Sequence, residues 1–351
     1  MIFWLIAVFL IFLYRARFQN LPEVDGCFSR ERSQAVNGFF ALFILLTHAR
    51  MFMNSIGYSW LCEPGSRYAM HVLLGVGQLC VVPFLLFSGY GIAERSKGNV
   101  RYIEKLPKRR ILSFYLNSLP VALLWVVIGV FMPAIDYPKD AICQLVFWRG
   151  IDFGPCWYNF CIIAMYFFAY IGFKAWDCKY IWRSEAMIWI LSIMYVGAMS
   201  YFRPEEPWWF NTALAFPLGV SFSCHRLIVF KLLARKYFAF LFIAVSVLML
   251  MNGKQMSGWI YNFYSMAFAL LLVLVMMRVR FGNYLLSWIG SRVFPIYMYH
   301  LFFYKALSSL ICNSQSIFNV HVTLALSFAA TIVVAWVYPR LSIKIVGNTS
   351  R

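Results

Sequence analysis

His48 sits where an ionisable side chain is costly to keep. It lies deep in 35–54, AVNGFFALFILLTHARMFMN, an apolar run of bilayer length, with Arg50 just beyond it. A charge in hydrocarbon must be desolvated, so an intramembrane histidine is a functional candidate by default. Imidazole changes protonation near neutral pH and can take a proton and return it, which is general acid–base work. The plainer alternative is a histidine that hydrogen-bonds a neighbouring helix. Of the five histidines, His300 in FPIYMYHLFFY is the other one well inside an apolar run, and it could act itself or orient a neighbour. His71 and His321 open apolar runs, and His225 lies among basic residues.

Three further stretches could take part. ERSKGNVRYIEKLPKRRIL carries seven basic residues against Glu94 and Glu104. Ordinary loop charge explains that, as does a site for a polyphosphorylated ligand, since guanidinium forks match phosphate oxygens. Coenzyme A, a nucleotide sugar and an anionic lipid all fit that description. LFSGYG at 86–91 supplies the hydroxyls of Ser88 and Tyr90, while its glycines point first to close helix packing. GPCWYNF at 154–160 brings Trp157 and Tyr158 to the start of an apolar run. Such a pair is usually an interfacial aromatic belt, and less often a platform for stacking a sugar.

The elements that must hold these residues are membrane helices. The chain is 62% hydrophobic, 20% aromatic and 13% charged, against about half apolar and a quarter charged in soluble domains. Apolar runs near 1–14, 35–54, 69–93, 111–135, 156–176, 186–202, 208–223, 237–252, 259–277, 284–308 and 320–339 give eleven candidate spans. Residues 1–14 lack a basic leader and a small-residue cleavage site, so they read as a retained span. If loop 15–34 is cytoplasmic and the runs alternate, 24 of the 31 Lys and Arg residues fall on the cytoplasmic side and 7 outside. That bias predicts an all-α polytopic membrane protein of ten to eleven helices, N-terminus outside and C-terminus cytoplasmic. His48 then lies roughly 20 Å from the inner end of its helix, in the outer part of the membrane. The division expected is an extra helix and cytoplasmic linker over 1–34, followed by one multi-helix domain over 35–351.

The net charge of +18 is distributed between apolar runs, so it reports topology and not nucleic-acid binding. The nine cysteines show no CxxC and no metal spacing, and Cys80, Cys143, Cys161 and Cys224 read as small hydrophobes. Cys62 is left open to a disulfide. Residues 141–148, AICQLVFW, read as a short interfacial or re-entrant helix in an outer loop. Pro83, Pro120, Pro217 and Pro295 fall within runs and read as kinks beside a cavity. No P-loop, HExxH, GxSxG or dinucleotide fingerprint is present.

The order of these elements resembles membrane acyltransferase family 3, which holds many bacterial O-acetyltransferases of surface polysaccharides. The family's first core helix pairs a basic residue with a histidine, ten residues lying between the two, with a glycine after the base; here it reads N-GFFALFILLT-H. An SGY-like element follows as FSGYG, then a basic helix start as PKRRILSFYLNSLP. A Gly-x-x-Trp-like entry appears as GPCWYNF, and a late glycine with a tyrosine-rich helix and a histidine as SWIGSRVFPIYMYH. The similarity spans about 32–340. Asn37 stands where the base is expected, Ser113 in place of the second paired arginine, and Asn159 where an acid is common.

The resemblance implies acetyl transfer from acetyl-CoA, a donor substrate with no metal, to a hydroxyl of a cell-envelope polysaccharide or lipid-linked oligosaccharide. The setting it implies is the bacterial cytoplasmic membrane, with membrane lipids as surroundings. It assigns catalysis to His48 and donor phosphates to Arg109, Arg110 and Lys108. Ser88, Tyr90, Trp157, Tyr158 and His300 would line the cavity. A flippase or transporter of a lipid-linked glycan is the alternative, and a polysaccharide polymerase ranks behind it because the outer loops are short.

Overall fold

The computed structural model describes residues 1–24, 26–55, 64–131, 156–251, 258–311 and 317–346. The expected short helix over 141–148, and both Cys62 and Cys143, lie outside the described residues. The architecture is all-α. The helices, in chain order, are α1 Ile2–Leu13, α2 Arg30–Ser55, α3 Ser66–Val76, α4 Val82–Ser96, α5 Val100–Glu104, α6 Ser113–Phe131, α7 Cys156–Lys174 and α8 Ile181–Phe202. They continue with α9 Ala215–Cys224, α10 Arg226–Arg235, α11 Tyr237–Met251, α12 Gly258–Arg278, α13 Tyr284–Gly290, α14 Val293–Ile311 and α15 Ile317–Val346. Among the described residues the strands are one two-residue antiparallel pair, Arg17–Phe18 with Val279–Arg280.

Among the described residues, four helical stretches are long and apolar enough to cross a membrane: Ser66–Ser96, Ile181–Phe202, Gly258–Arg278 and Phe318–Arg340. They become five when α9 and α10, which meet at 97°, are counted as one bent span. The larger count and the orientation rest on the loop charges alone.

Loops assigned to one side do meet one another. Arg32 and Arg280 both hold Glu23, at 2.6 and 3.1 Å, and the Arg278 guanidinium donates to the Asn20 carbonyl. Lys97 donates to the Ser223 carbonyl at 2.8 Å, and Lys174 pairs with Glu104 at 2.9 Å. At the opposite end, Trp4 Nε1 donates to His321 Nδ1 at 3.0 Å.

Several of the expected continuous runs are broken, and the prolines show why. A helix needs each N–H to reach the carbonyl four residues back, and proline has none to give. Pro83 follows a tight 3-10 stretch, Gly77–Val81, that divides 69–93 into α3 and α4. Pro295 leaves the Ser291 carbonyl without that bond, and 284–308 divides into α13 and α14. Pro217 lies in the first turn of α9. All three lie in the first turn of a helix, where the missing N–H costs little; Pro217 and Pro295 thus correct the expectation of mid-span kinks, whereas the break before Pro83 falls in the middle of the stretch Ser66–Ser96. Pro120 does lie inside a helix, α6.

Among the described residues, two helix pairs touch backbone to backbone through reciprocal glycines. A Cβ at Gly38 would stand 2.1 Å from the Leu286 carbonyl oxygen, and one at Gly290 would stand 1.7 Å from that of Gln34. The same reciprocal contact joins α4 and α9: Gly89 against the Phe216 carbonyl at 2.1 Å, Gly219 against that of Leu86 at 2.0 Å. The first pair seats α2, the helix that carries His48. On its other side α2 meets α1, where Phe9 and Phe12 pack on Phe39 at 5.5 and 4.1 Å between ring centroids. Asn283 caps α13 through Leu285 N–H and reaches back to the Ile11 carbonyl, tying the first helix to the last third of the chain.

Candidate active site

The two deep histidines meet. His48 Nδ1 lies 2.6 Å from His300 Nε2, although 252 residues separate them. Their ring planes are 9° from parallel. Stacked faces could not approach within 2.6 Å, so the rings are joined edge to edge in nearly one plane. His300 is fully buried, while His48 keeps some accessible surface. His48 Nε2 makes no hydrogen bond among the described residues, so its second nitrogen is open.

Helical spacing explains the meeting. Tyr297, His300 and Tyr304 stand at i, i+3 and i+7, on one face of α14. Tyr304 donates its hydroxyl to the Leu45 carbonyl at 2.8 Å, one turn before His48, and pins that face to α2. The Tyr304 ring also sits edge-on to His300, with centroids 5.8 Å apart. Tyr297 lies 6.1 Å from His300, and Tyr158 of α7 lies 5.2 Å from Tyr297. Beside it, buried Asn159 donates to Met298 Sδ at 3.2 Å, and its Oδ1 has no hydrogen-bond partner among the described residues. An aromatic wall therefore runs from α7 to the histidine pair. No motif singles out Tyr297 and Tyr304, yet their spacing from His300 in FPIYMYHLFFY carries the signal.

The other expected residues are scattered. Trp157 is partly exposed and touches Tyr158, with centroids 6.0 Å apart. Tyr90 packs edge-on against Phe28 at 4.7 Å. Phe28 precedes α2, and His48 lies roughly 27 Å further along by helix rise. Ser88 is partly buried on α4 and makes no side-chain hydrogen bond among the described residues. The glycine of FSGYG that matters structurally is Gly89, which lets α9 approach; a Cβ at Gly91 would meet nothing within 4 Å among the described residues.

Lys108, Arg109 and Arg110 lie in one wide helical turn, Pro107–Leu112, of the π type that recurs at functional sites. All three are exposed, and none pairs with an acid among the described residues. The acid close by in sequence, Glu104, is held below the usual carboxylate range by its hydrogen bond from Lys174 and is already engaged. Three cations on one turn without counter-ions suit a polyphosphate. Ser113, in the position of an expected arginine, accepts from Asn117 Nδ2 at 3.2 Å within its own helix. At Asn37 the buried Oδ1 has no hydrogen-bond partner among the described residues.

A family model described as an acyltransferase domain matches residues 34–339. The chain belongs to acyltransferase family 3. It is thus a membrane acyltransferase, and the match begins after α1 and takes in α2 with His48, the basic turn, and α14 with His300. No curated protein and no solved structure matches the chain. Among the described residues, no three or more His, Cys, Asp and Glu side chains converge as a metal site.

Proposed function

We propose that this member of the acyltransferase family transfers acetyl from acetyl-CoA to a hydroxyl of a cell-envelope polysaccharide or lipid-linked oligosaccharide, at a bacterial cytoplasmic membrane. The observation that carries the reading is His48. It is a partly buried imidazole held by a partner on one nitrogen and open on the other.

The donor's phosphates dock at the exposed turn of Arg109, Arg110 and Lys108. The acyl-thioester arm reaches inward along the aromatic wall of Tyr158 and Tyr297. The open nitrogen of His48 removes the proton of the acceptor hydroxyl. The oxygen attacks the thioester carbonyl, the C–O bond forms and the C–S bond breaks. The departing thiolate then takes the proton back from His48, so the imidazole ends as it began. Proton transfer by a placed imidazole typically supplies two to four orders of magnitude, about 3–5 kcal/mol of barrier.

The test uses purified protein in nanodiscs with acetyl-CoA and glycan extracted from the host envelope. The reading expects thiol release coupled to a glycan heavier by one acetyl per modified repeat, and loss of both in a folded His48→Ala variant. Wild-type protein that neither binds acetyl-CoA nor transfers acetyl, yet moves lipid-linked glycan across vesicles, would overturn it in favour of a flippase.

A further inference from the structure

We infer that His300 is a positioning residue that fixes the tautomer of His48, so that Nε2 is the nitrogen that meets the acceptor hydroxyl. The inference deepens the reading above and rests on it. One hydrogen-bonding role is fixed by chemistry alone. His300 Nδ1 lies 3.1 Å from the Ile296 carbonyl oxygen, one turn earlier in α14. A carbonyl can only accept, so His300 Nδ1 carries a proton and donates. If His300 is neutral, its Nε2 then presents a lone pair.

That lone pair lies in the plane of the His48 ring, 2.6 Å from His48 Nδ1. His48 must therefore carry its proton on Nδ1 and donate. By elimination the lone pair of neutral His48 is on Nε2, the nitrogen left open. The other assignment would put protons on both nitrogens of His300. That places a full charge on a side chain with no accessible surface, and no carboxylate reaches either ring among the described residues. An unpaired buried charge is far costlier than the neutral arrangement.

The surroundings hold His300 to this role. Tyr304 packs edge-on to its ring and is itself anchored to the Leu45 carbonyl. Tyr297 closes a second side. The chain Ile296 carbonyl, His300, His48 thus transmits a fixed backbone orientation to the reacting nitrogen. When His48 takes the acceptor's proton on Nε2, its Nδ1–H keeps the same bond and His300 changes neither proton. His300 is a support and not a second base.

Three variants separate this from the alternatives, each checked for folding by thermal unfolding and assayed by thiol release from acetyl-CoA with extracted envelope glycan. His300→Leu removes the acceptor, and kcat falls about 10²-fold, as expected for a misaligned reacting group, while KM for acetyl-CoA is unchanged. His300→Gln places a side-chain carbonyl oxygen within reach of His48 Nδ1–H and restores kcat to within about tenfold of wild type, on the same positioning scale. His48→Ala is inactive. Wild-type kcat in His300→Leu with an inactive His48→Ala overturns the inference alone. Equal losses in folded Leu and Gln variants also overturn it. Full activity in His48→Ala instead overturns the catalytic reading beneath it.

Discussion

The reciprocal glycines of α4 and α9 make a prediction that can be worked out from distances. A Cβ at Gly89 would stand 2.1 Å from the Phe216 carbonyl oxygen, whereas ordinary contact begins at 3.4 Å. Gly89→Ala therefore forces the two backbones apart by the difference, about 1.3 Å. The obstacle is main chain and no rotamer can relieve it. Overpacking typically costs 1–3 kcal/mol, and a backbone obstacle belongs at the upper end, about 3 kcal/mol. Gly219→Ala meets the Leu86 carbonyl at 2.0 Å and should cost about as much. One separation of the helices answers both clashes. The double variant should then be only slightly worse than either single one, a strong departure from additivity. Gly91→Ala, two residues away in the same motif, meets nothing within 4 Å and should gain about 0.5–1 kcal/mol from helix propensity. Unfolding of the purified variants in one detergent gives the order directly. Strictly additive losses at Gly89 and Gly219, or equal losses at Gly89 and Gly91, would refute the reasoning.

Two other predictions are more local. Arg109→Ala and Arg110→Ala should each raise KM for acetyl-CoA with little change in kcat, because phosphate contacts bind ground state and transition state alike; steady-state kinetics at low salt would show it. Glu23 lies in the loop between α1 and α2. Its partial burial opposes the charge, but hydrogen bonds from Arg280 and Arg32 outweigh burial and hold the carboxyl below its usual range. A depressed carboxylate stabilises the fold fully above its unfolded value, about 4.3, and loses that contribution as pH falls through the lower folded value. Unfolding measured from neutral to acid pH should accordingly show less acid sensitivity in Glu23→Gln than in wild type. Identical acid profiles would argue against the linkage.

Much of the candidate site is legible in the amino-acid sequence. An imidazole in hydrocarbon announces itself by its cost, and that singles out His48 and His300. Their contact is not legible there, because periodicity shows which residues share a face and not which distant face will meet it. Tyr304 and Leu45 settle that meeting through a main-chain carbonyl, a group that every residue has. The glycines of FSGYG point correctly to packing, but only the carbonyl of Phe216 distinguishes Gly89 from Gly91. Two of the prolines mislead for a plain reason: Pro217 and Pro295 sit in apolar stretches that composition alone cannot divide, and proline is as suited to a helix start as to a kink. Tyr90 shares a motif with Ser88 and Gly89, yet its ring belongs to Phe28 near the start of α2.

The central claim is that His48 removes a proton from an acceptor hydroxyl so that acetyl can leave its thioester. The most direct measurement follows labelled acetyl from acetyl-CoA to envelope glycan in nanodiscs, comparing wild type with a His48→Ala variant of matched folding. The account predicts labelled glycan from wild type, with label falling by at least about 10²-fold in the variant. Equal labelling by the two proteins would contradict it.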